Sequence, residues 1–193
     1  QRQIFISVSL YGDTYLPRKF KVAVTVPGDN SVDLLTQDIG LVAFTDPSGD
    51  LRGCNVYVGG GMGRTHNKEE TFARTADPLG YVDAADVLDV VQAILALQRD
   101  HGDREVRKHA RMKYLLHDKG IQWFRDTLCA TYFKGDLKGL RNEPKAKLLD
   151  YLGWHRQKAG MWFVGLPLLC GRLNGDLEAC LLYTSDAADD CEG

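Results

Sequence analysis

Hydrophobic and polar positions alternate from Phe20 onward. Phe20, Val22, Val24 and Val26 fall on one side of an extended chain, with Lys19, Lys21, Ala23 and Thr25 on the other. Thr14–Val26 therefore predicts a strand whose two lysines, at i and i+2, share a face with their roots roughly 7 Å apart. Two ammonium groups that close repel one another. Solvent can screen them at an exposed strand edge, or an anion can sit between them, and alternation alone leaves both readings open. The Pro27-Gly28-Asp29-Asn30 turn ends the strand, and Asn30 or Ser31 can cap a short helix through Val32, Leu34 and Leu35. Leu41–Thr45 and Arg52–Val58 flank the turn Asp46-Pro47-Ser48-Gly49-Asp50 and read as a hairpin. Ile4–Leu10 is also strand-like.

Beyond the hairpin the period changes from two to 3.6. Val87, Leu88, Val91, Ile94 and Leu95 mark the core face of a long helix, capped by Asp83 with Asp86 behind it and stopped by Gly102. A second helix is expected from Asp103. Arg104, Arg107, Lys108 and Arg111 would form a cationic stripe along it, with Val106, Ala110 and Tyr114 on an inward face. Ile121–Cys129 reads as a third helix with Ile121, Phe124 and Leu128 inward. Gly135–Lys147 is polar, carries Pro144 and reads as a connector. Tyr151–His155 and Met161–Leu169 then read as two strands about a Gln157–Gly160 turn, opening a second unit.

Composition adds bounds. The chain has 193 residues, 44% hydrophobic and 26% charged, with a formal net charge of -2. That suits one sizeable domain, or one domain and part of another. A near-neutral balance offers no global argument for nucleic acid or membrane, so any basic site must be local. No apolar run approaches the roughly 20 residues that cross a bilayer, and charges punctuate the start where a signal peptide would be apolar. The five cysteines are scattered with no Cys-x-x-Cys pair, which indicates neither zinc nor a disulfide framework. A reducing cytoplasm or organelle interior is the expected setting. His101, His109 and His117, eight residues apart, do not share a helical face and read as surface or packing residues.

Two features carry candidate chemistry besides the lysines. Gly59-Gly60-Gly61-Met62-Gly63-Arg64-Thr65-His66 frees the backbone for positive φ and lets N–H groups converge on an anion. Its spacing fits neither the dinucleotide fingerprint nor a P-loop. A tight turn and a ligand cradle both remain open, with Arg64, His66 and Arg74 adding positive charge. The stripe is either a solvated basic face or a seat for a polyanion: nucleic-acid phosphates, or a cofactor bearing many carboxylates. The exposed aromatics and overall basicity of a nucleic-acid binder are not evident.

These residues resemble a known family. Tyr-Leu-Pro-Arg-Lys-Phe-Lys (15–21), Val-Pro-Gly-Asp-Asn-Ser-Val-Asp-Leu-Leu-Thr-Gln-Asp-Ile-Gly (26–40) and Val-Gly-Gly-Gly-Met-Gly-Arg-Thr-His (58–66) look like the sulfite reductase haemoprotein family. So do Pro-Leu-Gly-Tyr-Val (78–82), Gln-Arg-Asp-His-Gly-Asp-Arg (98–104), Arg107-Lys108, Arg111–Tyr114 and Tyr-Leu-Gly-Trp-His (151–155). The match runs in order from Tyr11 to Glu178, and its wording is nearest the ferredoxin-dependent assimilatory type.

The resemblance implies an α+β fold: a sirohaem-reductase unit of mixed sheet and helices over 1–140, then the start of a second, ferredoxin-like repeat over 141–179. It implies six-electron reduction of sulfite to sulfide at a sirohaem coupled to a 4Fe-4S cluster, with ferredoxin or a flavoprotein as electron donor. Lys19 and Lys21 would hold the substrate's oxygens and help deliver protons. Arg104, Arg107, Lys108, Arg111 and Lys113 would meet the cofactor's eight carboxylates, and Gly59, Gly60, Gly61, Arg64 and His66 would approach its edge. Nitrite reductases of the family often carry Lys-x-Asn where this chain has Lys19-Phe20-Lys21, which favours sulfite.

Departures from the pattern matter too. None of the five cysteines fits the family's cluster-ligand spacing, expected downstream of this chain, and two pocket arginines would lie upstream of Gln1. The expectation is a central fragment that assembles no working site alone. Residues 180–193 resemble sequencing-adaptor read-through and are set aside from fold reasoning.

Overall fold

A computed structural model describes residues 10–147, 151–157 and 160–168. The expected strand at Ile4–Leu10 lies almost wholly outside them, as does the 180–193 tail. The chain divides into two units, Gln1–Leu149 and Asp150–Gly193.

The first unit is built on a mixed four-stranded sheet in the order β1-β2-β3-β4. Its strands are β1 (Val22–Thr25), β2 (Ile39–Thr45), β3 (Leu51–Val58) and β4 (Asp77–Asp83). β1 runs parallel to β2, while β2–β3 and β3–β4 are antiparallel. The expected hairpin is present, and Asp46 organises its turn by accepting the N–H groups of Ser48 and Asp50. Between β1 and β2, Asn30 Oδ1 accepts the Leu34 N–H at the head of a single 3-10 turn, Leu34–Thr36. β4 was not evident in the sequence because Pro78 and Gly80 interrupt its pattern. It is the terminal strand of the sheet, and its proline sits at the register shift between Val56 and Tyr57 of β3, the kind of irregular, marginal position where a strand tolerates proline.

Two helices cover one face: α1 (Val87–His101) and α2 (Met112–Thr127). Ile39, Leu41, Cys54, Val56, Val58 and Val82 meet Val90, Ile94, Leu97, Leu116 and Phe124 in one core. α1 differs from expectation at its start and in its buried row. β4 runs through Asp83 and a 3-10 turn (Ala84–Asp86) intervenes, so Asp83 caps nothing and Asp86 takes the N-cap position without a side-chain bond. Val87, Val90, Ala93, Ile94 and Leu97 face the sheet, and Leu88 points to solvent. The adjoining rows through 87-90-94-97 and 88-91-95 are both apolar, so periodicity could not choose between them.

The helix expected from Asp103 through Tyr114 does not form before Met112. Asp103 Oδ1 accepts the N–H groups of Glu105 and Val106, a local side-chain turn that competes with helix, and the four like charges on the expected stripe would add repulsion. Gly102 does end α1. α2 is interrupted at Gly120, where φ is 81° and ψ 158°, a conformation open to glycine but not to the helix. The expected third helix is thus the second half of α2, with Phe124 and Leu128 fully buried and Ile121 packed against the core. A π-turn, Leu128–Tyr132, follows.

The segment 137–147 crosses the opposite sheet face. Lys138 exchanges backbone hydrogen bonds with Tyr81, Arg141 packs on the Tyr81 ring 4.2 Å from its centroid, and Lys147 bonds back to Gly28 and Asn30. The second unit's described residues form an antiparallel pair, β5 (Gly153–Arg156) and β6 (Trp162–Gly165), within the two strands expected there and with Gly153 opposite Gly165 and Arg156 opposite Trp162. His155 stacks on Phe163 within it.

Candidate anion-binding cleft

Three polar segments converge at the end of the sheet where β1 begins, β3 ends and α2 begins. They enclose an open cleft of ≈ 470 Å³ lined by Arg18, Lys19, Gly63, Thr65, Thr71, Arg107, Lys108, Arg111, Lys113 and Tyr114. Six of these ten residues are cationic, in a chain whose net charge is -2.

The cations divide by commitment. Among the described residues, the side chains of Arg18, Lys19, Arg107 and Lys108 make no hydrogen bond or ion pair. Arg111 and Lys113 are built in. Arg111 Nη2 donates to Asp38 Oδ2 at 2.9 Å and to the Gly60 carbonyl at 3.3 Å. Lys113 is almost fully buried, and its ammonium donates to the carbonyls of Gly61 at 3.2 Å, Gly63 at 2.7 Å and Phe72. Its ring neighbours are Tyr114 and Phe72, 4.9 and 5.9 Å from Nζ. Burial holds the Lys113 pKa below the usual lysine range, and nearby Arg111 adds to the effect.

The glycine loop works differently from an N–H cradle. Gly59 N–H donates to the Asp38 carbonyl, Gly60 N–H to the Gln37 carbonyl, and Gly61 exchanges two backbone bonds with Arg74. With those amides committed, the loop presents carbonyls to Arg74, Arg111 and Lys113 instead. Its lack of side chains is needed for close approach. A Cβ on Gly60 would stand 2.3 Å from the Leu35 carbonyl oxygen, and one on Gly61 2.6 Å from Arg111 Nη1. Thr71, buried beneath the cleft wall, accepts the Thr65 N–H and donates to the Lys68 carbonyl, fixing the loop's return.

Several candidate residues fall elsewhere. Lys19 lines the cleft and Lys21 does not. The strand expected from Phe20 starts only at Val22, so alternation does not govern the two lysines. The Lys21 backbone N–H donates to Asp38 Oδ2 at 2.9 Å, and its side chain is exposed. Arg104 turns away, donating to the carbonyls of Thr14, Tyr15 and Arg99 and so pinning the segment ahead of Lys19. Arg64 and His66 are exposed on the glycine loop and do not line the cleft. The three histidines pack as expected: His101 against Trp123, His109 stacked on Tyr114, His117 against Phe72.

Sequence reading passed over Arg18, Thr71 and Asp38, and took Tyr114 for a packing residue only. Arg18 stands beside Lys19 in the same motif, a signal that was available. Asp38 sits at the head of an apolar strand, and its partner is 73 residues away. Among the described residues no group of three or more His, Cys, Asp or Glu side chains could hold a metal ion. No described helix is long and apolar enough to cross a membrane.

A family model described as the nitrite and sulphite reductase 4Fe-4S domain matches residues 7–137. The chain is 62% identical over 167 residues to a sulfite reductase [ferredoxin] from Synechococcus elongatus, covering 86% of this chain and 27% of that protein. It is 42% identical over 158 residues to the sulfite reductase [NADPH] subunit beta of Saccharomyces cerevisiae, covering 79% of this chain and 10% of that one. The solved structure of the Mycobacterium tuberculosis NirA protein superposes with a TM-score of 0.68 at 31% identity, covering 88% of this chain and 30% of that chain. The chain thus spans less than a third of the length of each of these proteins.

Proposed function

Because the chain belongs to the nitrite and sulphite reductase 4Fe-4S domain family, we propose that it is part of an assimilatory sulfite reductase and supplies the cationic wall of the reduction site. The observation carrying this reading is the set of four uncommitted cations, Arg18, Lys19, Arg107 and Lys108, around one cleft. A solvated basic face needs no such convergence. A dianionic substrate and a ring cofactor bearing many carboxylates both do.

When bound, sirohaem coupled to a 4Fe-4S cluster supplies electrons for the conversion of sulfite to sulfide. The donor set fits that group's periphery, since guanidinium and ammonium groups bind carboxylates through charge-assisted hydrogen bonds. Arg107, Lys108 and Arg111 would hold those carboxylates. The cluster's cysteine ligands are not assigned to this chain.

The chain's own chemistry is anion holding and proton delivery. Sulfite, six electrons and eight protons give hydrogen sulfide and three waters, so each departing oxygen must receive protons. The Lys19 ammonium can donate a hydrogen bond to a sulfite oxygen and then pass it a proton from Nζ. Its exposure to solvent allows the proton to be replaced. Lys21, two residues on and also exposed, is the second proposed donor. The 62% identity to a protein named for ferredoxin supports ferredoxin as the electron donor, and the setting we favour is the cytoplasm or a plastid stroma.

Steady-state kinetics of the complete enzyme with sulfite and with nitrite test this reading. A kcat/KM larger for sulfite is expected. A value much larger for nitrite would replace the substrate, and absence of a sirohaem visible spectrum would remove the reading altogether.

A further inference from the structure

Asp38 lines no part of the cleft, yet it joins all three of its walls. Its side chain is 0% exposed. Oδ2 accepts the Lys21 N–H from the β1 side and Arg111 Nη2 from the α2 side, both at 2.9 Å. Its backbone carbonyl accepts the Gly59 N–H from the glycine loop, also at 2.9 Å. Arg111 in turn reaches the Gly60 carbonyl and lies against Gly61, where a Cβ would collide with its guanidinium. An arginine so clamped has one available orientation, and Asp38 is its only acidic partner among the described residues. The side chain is not saturated either: Asp38 Oδ1 and Arg111 Nε, both buried, have no hydrogen-bond partner. A purely structural pair would gain by closing a second bond between these atoms. The arrangement instead fixes where Arg111 stands.

Resting on the cleft reading above, we infer that Asp38 is a positioning residue: it sets the cleft's affinity for a polycarboxylate ring by orienting Arg111 and the backbone at Lys21. This role and simple charge compensation predict opposite signs. If Asp38 merely neutralised Arg111, its removal would add net positive charge and tighten anion binding. If it positions, removal loosens binding despite the added charge.

The probe is uroporphyrin, a metal-free ring bearing eight carboxylates, titrated by absorbance into the complete enzyme prepared without sirohaem. Asp38→Asn keeps the volume and one oxygen able to accept from both donors, but it removes the carboxylate charge that holds Arg111 and puts two N–H donors where the buried Oδ1 stood. The expected result is a Kd raised about tenfold at neutral pH, a change worth about 1.4 kcal/mol. In an Arg111→Met background the same Asp38→Asn change should shift Kd less than about twofold, because the group it acts through is gone. The pH profile adds a readout that loss of packing does not move. Asp38 faces Arg111, the Lys21 backbone and the charge on Lys113. As falling pH protonates it, wild-type affinity should decline and converge on that of Asp38→Asn.

Tighter binding by Asp38→Asn, an additive double variant, or parallel pH profiles would each overturn the inference while leaving the cleft reading intact. Failure of the complete wild-type enzyme, freed of sirohaem, to bind the ring removes both. Should Asp38→Asn not fold, Arg111→Lys decides: it keeps the charge but replaces the planar fork with a mobile ammonium that Asp38 does not orient, and wild-type affinity in that variant also overturns the inference.

Discussion

Asn55 and Arg141, 86 residues apart, bond to each other twice: Asn55 Nδ2 donates to the Arg141 carbonyl at 2.8 Å, and the Arg141 N–H donates to Asn55 Oδ1 at 2.9 Å. A buried side-chain amide on β3 thus takes the place of a backbone neighbour and ties segment 137–147 across the sheet. Tyr57, two residues along, adds a hydroxyl bond to Glu143. Asn55→Ala leaves a donor and an acceptor without partners and should cost about 2 kcal/mol. Urea unfolding would reveal it as a lower midpoint at unchanged slope.

Lys19 and Arg104 should separate function from scaffolding. In the complete enzyme Lys19→Ala removes an uncommitted cleft donor and should lower kcat/KM for sulfite by roughly 100-fold, with little change in melting temperature. Arg104→Ala loses three bonds to backbone carbonyls. It should cost about 1 kcal/mol of stability and leave turnover near wild type. Turnover and thermal melts on both variants decide this, and equal loss of activity in the two would count against the division.

The glycine loop gives a paired test. An added methyl at Gly60 meets backbone oxygens of Leu35 and Gln37 at 2.3 and 2.6 Å, atoms that cannot step aside. Gly60→Ala should therefore destabilise by about 2 kcal/mol or more. At Gly61 the methyl's nearest neighbour is the end of the Arg111 side chain, at 2.6 Å. Gly61→Ala should fold and bind anions more weakly. Calorimetric melts beside uroporphyrin titrations read the two effects separately.

Asp38 also marks the pH dependence of stability. Burial raises its pKa above the ordinary 3.8, opposed by the hydrogen bond and charge of Arg111 and by the Lys21 amide. A raised carboxyl pKa contributes stability that is complete below 3.8 and is lost as pH rises through the folded-state value. Relative to Asp38→Asn, the wild type should therefore lose ground as pH increases through that window. Melting temperatures of both proteins across a pH series would show a difference that grows; a constant offset refutes it.

Much of the frame was legible where one signal acted alone. The β2–β3 hairpin and the β5–β6 pair combine alternation with a recognisable turn, and both appear where expected. Legibility failed where two local forces competed. Asp103 captures the amides that would open a helix, so the stripe of Arg104, Arg107, Lys108 and Arg111 does not exist as a stripe. Three of those four residues reach the cleft regardless, because the loop delivers them there. The glycines were read for their amides, but these serve Asp38, Gln37 and Arg74. Asp38 itself gave no local sign, since its role depends on Arg111.

β1 forms one margin of the sheet, and its valines occupy an ambiguous position. Val22 and Val24 are in register with Ile39 and Leu41 of the core, yet they are 46% and 55% exposed. The helices stop short of them. Among the described residues no strand pairs with the outer side of β1, and such a margin carrying exposed valines is adhesive, since it offers both a hydrogen-bonding template and an apolar strip to any like neighbour. The 193-residue chain handled by itself should accordingly self-associate with rising concentration. Val24→Lys, which puts charge on that strip without touching the cleft, should delay the association in sedimentation measurements.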